Sequence, residues 1–228
     1  MNLAQTNSRP IFSGQTQIHP RLAERVRRYL TTIYRRPIAT HSQAAFEQVQ
    51  QWINGRDQPL ILDAGCGVGI STRQLAECFP QALVIGVDKS AVRLAKQHSV
   101  LPINAFLVRA DLNDFWRQAV TAKWRLWHHY LLYPNPWPKA QHLQRRWHAS
   151  PLLPFIVVLG GRLELRSNWR LYVEEFIFAL GLIGIDAACD VYQAEQALTP
   201  FERKYWHSGQ CSWHCVIELK AGYTPQVR

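Results

Sequence analysis

The run Leu60-Ile61-Leu62-Asp63-Ala64-Gly65-Cys66-Gly67-Val68-Gly69, answered by Val84-Ile85-Gly86-Val87-Asp88, constrains this chain more than any other stretch. An apolar segment, a turn with three glycines, a short helical pattern and a second apolar segment ending in a carboxylate read as one βαβ unit. Residues without a Cβ allow the chain to turn sharply and let a ligand approach the backbone N–H groups. Asp88, closing the second strand, is placed to accept hydrogen bonds from two ribose hydroxyls. The stretch therefore predicts a nucleoside-bearing ligand lying across the strand ends.

A dinucleotide fingerprint requires G-x-G-x-x-G, and Ile70 stands where the third glycine belongs. Asp63, just ahead of the glycines, would repel a pyrophosphate and attract a sulfonium or ammonium group. D-A-G-C-G-V-G thus resembles the first motif of class I S-adenosylmethionine methyltransferases more than a nicotinamide site. A glycine turn that binds nothing is the structural alternative. Against it stands Asp88, close to the spacing of about 20 residues expected of a ribose-binding carboxylate.

Charge narrows the partner. The 228 residues carry a formal charge of +10, and 20 of the 26 basic residues are arginine. A field of that sign concentrates polyanions, and the planar guanidinium suits phosphates and base edges better than an ammonium does. RNA or DNA is the leading partner class, and a basic surface kept for solubility is the bland alternative. Five cysteines cannot all pair internally, no signal peptide is expected from the polar first residues, and the apolar run from Pro151 to Gly161 is too short to span a bilayer. The expectation is a cytoplasmic protein with no membrane contact. His207, Cys211, His214 and Cys215 are of ligand type, but in a strand at ~3.3 Å per residue the two cysteines lie about 13 Å apart, so no metal site is expected.

Taken in order, residues 1–20 lack periodicity and read as a mobile arm ahead of a single domain over 21–228. Leu22, Val26, Tyr29, Leu30 and Ile33 share a helical face opposite arginines, so residues 21–56 form a basic helical part. Ser71 and Ser90 are expected to cap the helices after the first two strands. Phe106 to Val108 is the third strand, and Asp111 beyond it could accept from an exocyclic adenine amine. Trp124 to Tyr133 is the fourth; His128 and His129 within it point to opposite faces and read as packing residues. The three prolines of Tyr133-Pro134-Asn135-Pro136-Trp137-Pro138-Lys139 stiffen a loop at the end of that strand. A helix over Trp169 to Leu180 and strands over Asp186 to Tyr192 and Cys211 to Leu219 follow, the strands joined by a loop carrying Thr199 to Arg203.

From about Leu60 to Leu219 the chain resembles the tRNA (guanine-N7) methyltransferase family. The family motif F-P-D-P-W-P-K, followed by R-H-x-K-R-R, appears as Tyr133 to Arg146; T-D-W-E-x-Y as Ser167 to Tyr172; T-x-F-E-x-R as Thr199 to Lys204, with the arginine one place early. The resemblance implies a Rossmann-like α/β fold, a mostly parallel seven-stranded sheet with helices on both faces and an antiparallel last strand. It implies S-adenosyl-L-methionine as cofactor and tRNA as partner of a monomer or homodimer. By the same mapping, Asp63, Gly65, Gly67, Asp88, Asp111 and Asn135 would hold the cofactor, and Asn135 takes the place of the active-site acid. Lys139, Asn168, Thr199, Phe201 and Glu202 would meet the substrate, and His142, Arg145 and Arg146 the RNA. Three family acids have become Asn135, Asn168 and Arg170.

Those changes leave the chemistry possible. Guanine N7 carries an in-plane lone pair, so attack on a sulfonium methyl needs alignment and no proton removal. Positive charge grows on the imidazole ring, and an amide oxygen stabilises it less than a carboxylate would. A slower or differently targeted enzyme is the expectation. The rivals are an amino-nitrogen methyltransferase, whose N-P-P-Y order is absent, a small-molecule methyltransferase, and an RNA-binding protein that has lost its catalysis.

Overall fold

The computed structural model describes residues 8–96 and 100–220. The βαβ unit read from the glycine run is present: β1 (Leu60–Ala64), α3 (Ile70–Cys78) and β2 (Leu83–Asp88), with β1 and β2 parallel and Asp63 level with Gly86. It is preceded by α1 (Leu22–Thr31) and α2 (Thr40–Ile53) and followed by α4 (Ala91–Leu94), β3 (Ala105–Arg109), α5 (Leu112–Thr121) and β4 (Leu126–Leu132). Two 3-10 turns, Ala140–Arg145 and Trp147–Ala149, lead to α6 (Leu153–Val158), β5 (Gly161–Ser167), α7 (Arg170–Gly181), β6 (Asp190–Tyr192), α8 (Pro200–His207) and β7 (Ser212–Leu219).

The seven strands lie in the order β3-β2-β1-β4-β5-β7-β6. The first five are parallel, and β7 runs antiparallel to both neighbours, as expected of the last strand. Strands buried on both faces need apolar runs rather than alternation, and β2 is buried at all six positions. The order reverses at β1, from which the chain goes outward through β2 and β3 and returns to β4 on the other side. Open α/β sheets bind ligands at such a switch point, outside the carboxyl ends of the strands. Helices cover both faces: one core joins α1, α2, α5, α6 and α7 to the sheet, and a second collects Leu75 and Ala76 of α3 with Ile61, Val84 and Tyr130. Among the described residues no helix is long and apolar enough to cross a membrane, and no group of three His, Cys, Asp or Glu side chains could hold a metal ion.

Four expectations change, the first being the strand expected over Asp186 to Tyr192, which is confined to Asp190–Tyr192. Ser71 does not cap α3: the N-cap is Gly69 in the left-handed region, and Ser71 lies inside the first turn with its hydroxyl directed to Asp63. The segment bearing Thr199 to Arg203 is helix α8 rather than loop, because Thr199 caps it, Pro200 starts it and Glu202 reaches back to the Leu198 N–H. Residues 8–20, expected to be a mobile arm, are hydrogen-bonded to the rest of the fold: Ser8, Ser13, Gln15 and His19 bond to Ser208, Pro138 and Glu175. Residues 1–7 of that expected arm lie outside the described residues.

Candidate active site

The glycine turn is tied to the end of β2, since the N–H groups of Gly65 and Cys66 both donate to Val87 O, at 2.8 and 3.1 Å. Gly65 and Gly67 have φ of 89° and 62°, and a Cβ on either would meet nothing within 4 Å. These two positions face open space in a backbone conformation that side chains disfavour, which suits close approach by a ligand. Gly69 serves packing instead, because a Cβ there would lie 2.5 Å from Leu107 Cδ1.

Three carboxylates lie at or just beyond the carboxyl ends of adjacent strands, Asp63 within β1, Asp88 closing β2 and Asp111 after β3. Asp88 accepts from Gly67 N (3.0 Å) with Oδ2 and from Ser90 N (2.8 Å) with Oδ1, and Arg93 lies 3.3 Å away. It shapes the turn, and with about four acceptor sites on a carboxylate it retains capacity for a hydroxyl. Asp63 lies beneath the turn at 1% exposure, its Oδ2 accepting from Ser71 Oγ at 2.6 Å and Thr72 Oγ1 at 2.7 Å. Burial pushes its carboxyl up to about 6, the two hydroxyls partly offset this, and the Asp88 charge adds to it. So placed, Asp63 offers no surface of its own, and any effect it has above the turn is exerted through its charge. Asp111 caps α5, with Oδ1 accepting from the Asn113 backbone N–H and side-chain amide, while Arg36 reaches Oδ2 at 3.4 Å. An open backbone cradle ringed by acids suits a ligand that combines vicinal hydroxyls with positive charge.

The stiffened loop leaves β4 beside this cradle, since β4 pairs with β1 so that Tyr130 is level with Asp63. Tyr133 and Trp137 both have positive φ, 51° and 47°, a conformation costly for non-glycine residues and sustained only by surrounding bonds. Tyr133 is held by Arg166 O at its N–H and by Glu202 and Ser212 at its hydroxyl. Asn135 is exposed, and its Oδ1 accepts from Trp137 N at 3.3 Å. Lys139 is exposed; His142 meets Trp137 edge-on, and the Arg145 guanidinium stacks on Trp137 at 4.5 Å from the ring centre. Asn135, Lys139, His142 and Arg145 thus share one projecting loop.

Arg146 does not. It is fully buried, pairs with Glu175 at 2.5 Å and donates to Trp137 O and Gln15 Oε1, so the expectation that it meets RNA is corrected: no part of it is available to a phosphate. Glu202 is corrected likewise as a substrate contact, because it is fully buried and accepts from Tyr133 OH, Arg166 Nη1 and Leu198 N. Thr199 is buried as the α8 cap, Phe201 is 49% exposed, and Asn168 donates to Gln210 Oε1 at 3.0 Å. His129 is a core residue accepting from Trp116 Nε1, and burial alone brings it down to about 3; His128 stacks on Tyr130.

Sequence reasoning missed Arg166 and Glu175. Arg166 bridges Glu164 and Glu202 and stacks on Tyr192, linking β5, α8 and the Tyr133 turn. The capping signature Thr199-Pro200-Phe201-Glu202 offered a signal for α8. Glu175 sits among apolar residues of a helix and gave none.

A family model described as putative methyltransferase matches residues 57–210. A tRNA (guanine-N(7)-)-methyltransferase of Burkholderia ambifaria is 24% identical, covering 92% of this chain and 91% of its own length. One from Polaromonas naphthalenivorans is 26% identical over 72% and 73% of the two chains. Among solved structures, an antibiotic-related methyltransferase aligns with a TM-score of 0.55 at 14% identity, over 83% of this chain and 98% of that one, a likeness of fold. The matched span runs from just before the glycine turn through the Asn135 loop and α8, and the chain therefore belongs to the family of putative methyltransferases.

Proposed function

We propose that the chain transfers a methyl group from S-adenosylmethionine to N7 of a guanine in tRNA. The observation that carries this reading is the adjacency of two features on neighbouring parallel strands: the open glycine cradle after β1 and the Asn135 loop after β4. The names of the relatives, one of which extends over 92% of the chain, support the same substrate, as does the charge of +10. The loop's exposed lysine and its stacked arginine suit a phosphate backbone, and the five free cysteines suit the cytoplasm.

When bound, S-adenosylmethionine supplies a methyl group activated by an adjacent sulfonium charge. Asp88 would hold the ribose hydroxyls, Asp111 the adenine amine, and Gly65 and Gly67 would leave room for close approach. Asp63 places negative charge under the turn, balancing a cation above it. On the acceptor side no residue has to remove a proton from N7. Asn135 keeps one lone pair of its amide oxygen beyond the Trp137 bond, and a neutral acceptor there stabilises developing positive charge on the ring. Lys139 and Arg145 hold the RNA backbone while Trp137, braced by Arg145, keeps the loop in shape.

The test is transfer of labelled methyl from S-adenosylmethionine to unmodified tRNA, repeated on tRNA carrying 7-deazaguanosine. Label on the first and none on the second is expected. Equal label on both would name another acceptor atom, and RNA binding without label on either would leave a binding protein.

A further inference from the structure

The basic run ending in Arg145-Arg146 is divided by the fold. Arg145 lies outside on the Trp137 ring, whereas Arg146 turns inward beneath the same residue. From there its guanidinium spans three partners: Nε and Nη2 donate to Trp137 O at 3.3 and 3.0 Å, Nη1 to Glu175 Oε2, and Nη2 also to Gln15 Oε1 at 3.0 Å. The face of the group rests on Trp169, 4.9 Å from the ring centre. Glu175 in turn accepts from Gln15 Nε2 (2.6 Å), from the His19 N–H (2.9 Å) and contacts His148 Nε2 (3.0 Å). The next carbonyl of the loop, Pro138 O, accepts from Ser13 Oγ at 2.6 Å. Two successive carbonyls of the strained Trp137-Pro138 turn are thus held from below, one by a buried fork and one by the segment before α1.

We infer that Arg146 is a positioning residue that sets the Asn135 loop through the Trp137 carbonyl, and that residues 13–19 are a strap completing this clamp. The inference rests on the reading of residues 133–146 as part of the methyl-transfer site. Asn135 bonds through its side chain to Trp137 N, so both sides of the Trp137 residue are fixed, and with them the position of the amide oxygen. A positive φ at Trp137 is held only while those bonds persist. The guanidinium is required for its shape: an ammonium could neutralise Glu175, but it is a compact charge without the planar fork that reaches Trp137 O at the same time.

That difference separates positioning from mere charge balance. In Arg146→Lys, single-turnover methyl transfer at saturating tRNA and S-adenosylmethionine is expected to fall by roughly tenfold or more, since a misplacement of about 1 Å costs up to ~100-fold. S-adenosylmethionine affinity and the salt dependence of tRNA binding should stay as in wild type. Ser13→Ala, which removes the bond to Pro138 O and leaves the buried charge pair untouched, should lower the same rate. Amide hydrogen exchange over 133–142 should quicken in both variants, and this measurement needs no substrate, so it decides the clamp even if tRNA is not methylated. Unchanged exchange in the loop, or a wild-type rate in Arg146→Lys, would overturn the inference.

Discussion

Asp63→Asn should make the protein more stable above neutrality while weakening the site. Asp63 is 1% exposed, and burial brings its carboxyl from an ordinary 3.8 to about 6 in spite of two hydroxyl donors. For an acid whose folded value lies above its unfolded one, the neutral form is the one the fold favours. Its contribution is present below the unfolded value and is lost as pH rises from about 4 through 6. The two values differ by about 2, and each pH unit corresponds to about 1.36 kcal/mol, so the ionised carboxylate costs up to about 3 kcal/mol at pH 8. Asparagine retains an oxygen for Ser71 and Thr72 and never ionises. Urea unfolding of both proteins at several pH values reads the difference directly, with other titrating groups cancelling. The variant should match wild type near pH 3 and exceed it by roughly 2–3 kcal/mol at pH 8. Affinity for S-adenosylmethionine at pH 8 should fall, since the charge under the turn is gone. A difference curve flat from pH 3 to 8, or a variant less stable at pH 8, would refute the argument that burial dominates this carboxyl.

Gly86→Ala would place a Cβ 2.2 Å from Thr72 Oγ1 and 2.5 Å from Leu107 Cδ2, and by overpacking together with loss of the Thr72 bond to Asp63 it should cost about 3–5 kcal/mol in urea unfolding. A loss below about 1 kcal/mol would mean the two side chains yield easily. Asn135→Asp replaces a neutral acceptor by a charged one of about twice the strength, a gain near 1 kcal/mol, so single-turnover transfer should rise roughly fivefold. An unchanged or lower rate counts against that role. Arg145→Ala should lower the slope of log affinity for tRNA against log salt by about 0.7 to 0.9, and a slope equal to wild type would put the RNA on another face.

Most of the sheet was legible because its strands are written in local patterns. The apolar runs at 60–64 and 83–88 and the alternation over 162–166, separated by helical stretches, mark the strands, and the order of the sheet agrees with what the family resemblance implied. Asp88 and the Ser90 cap were readable for the same reason, since their partners Gly67, Ser90 and Arg93 lie within or beside the βαβ unit. Ser71 misled because a serine at the head of a helix usually caps it, yet Gly69 with φ of 80° begins the turn and frees the hydroxyl for Asp63. The segment before α1 misled because polar residues without periodicity look unpartnered until Glu175 and Pro138 are brought beside them.

Amino-acid order alone settled most of the strands and helices, α8 excepted, where the glycines turn, and that a stiff loop with an asparagine follows β4, since each depends on propensities and neighbours a few residues apart. Only the tertiary structure decided which charges face water. Arg145 and Arg146 are adjacent and chemically identical, and one is outside on Trp137 while the other pairs with Glu175, 29 residues away, and Gln15, 131 residues away. A buried charge is tolerable only where such distant partners converge on it, and no local pattern records that convergence.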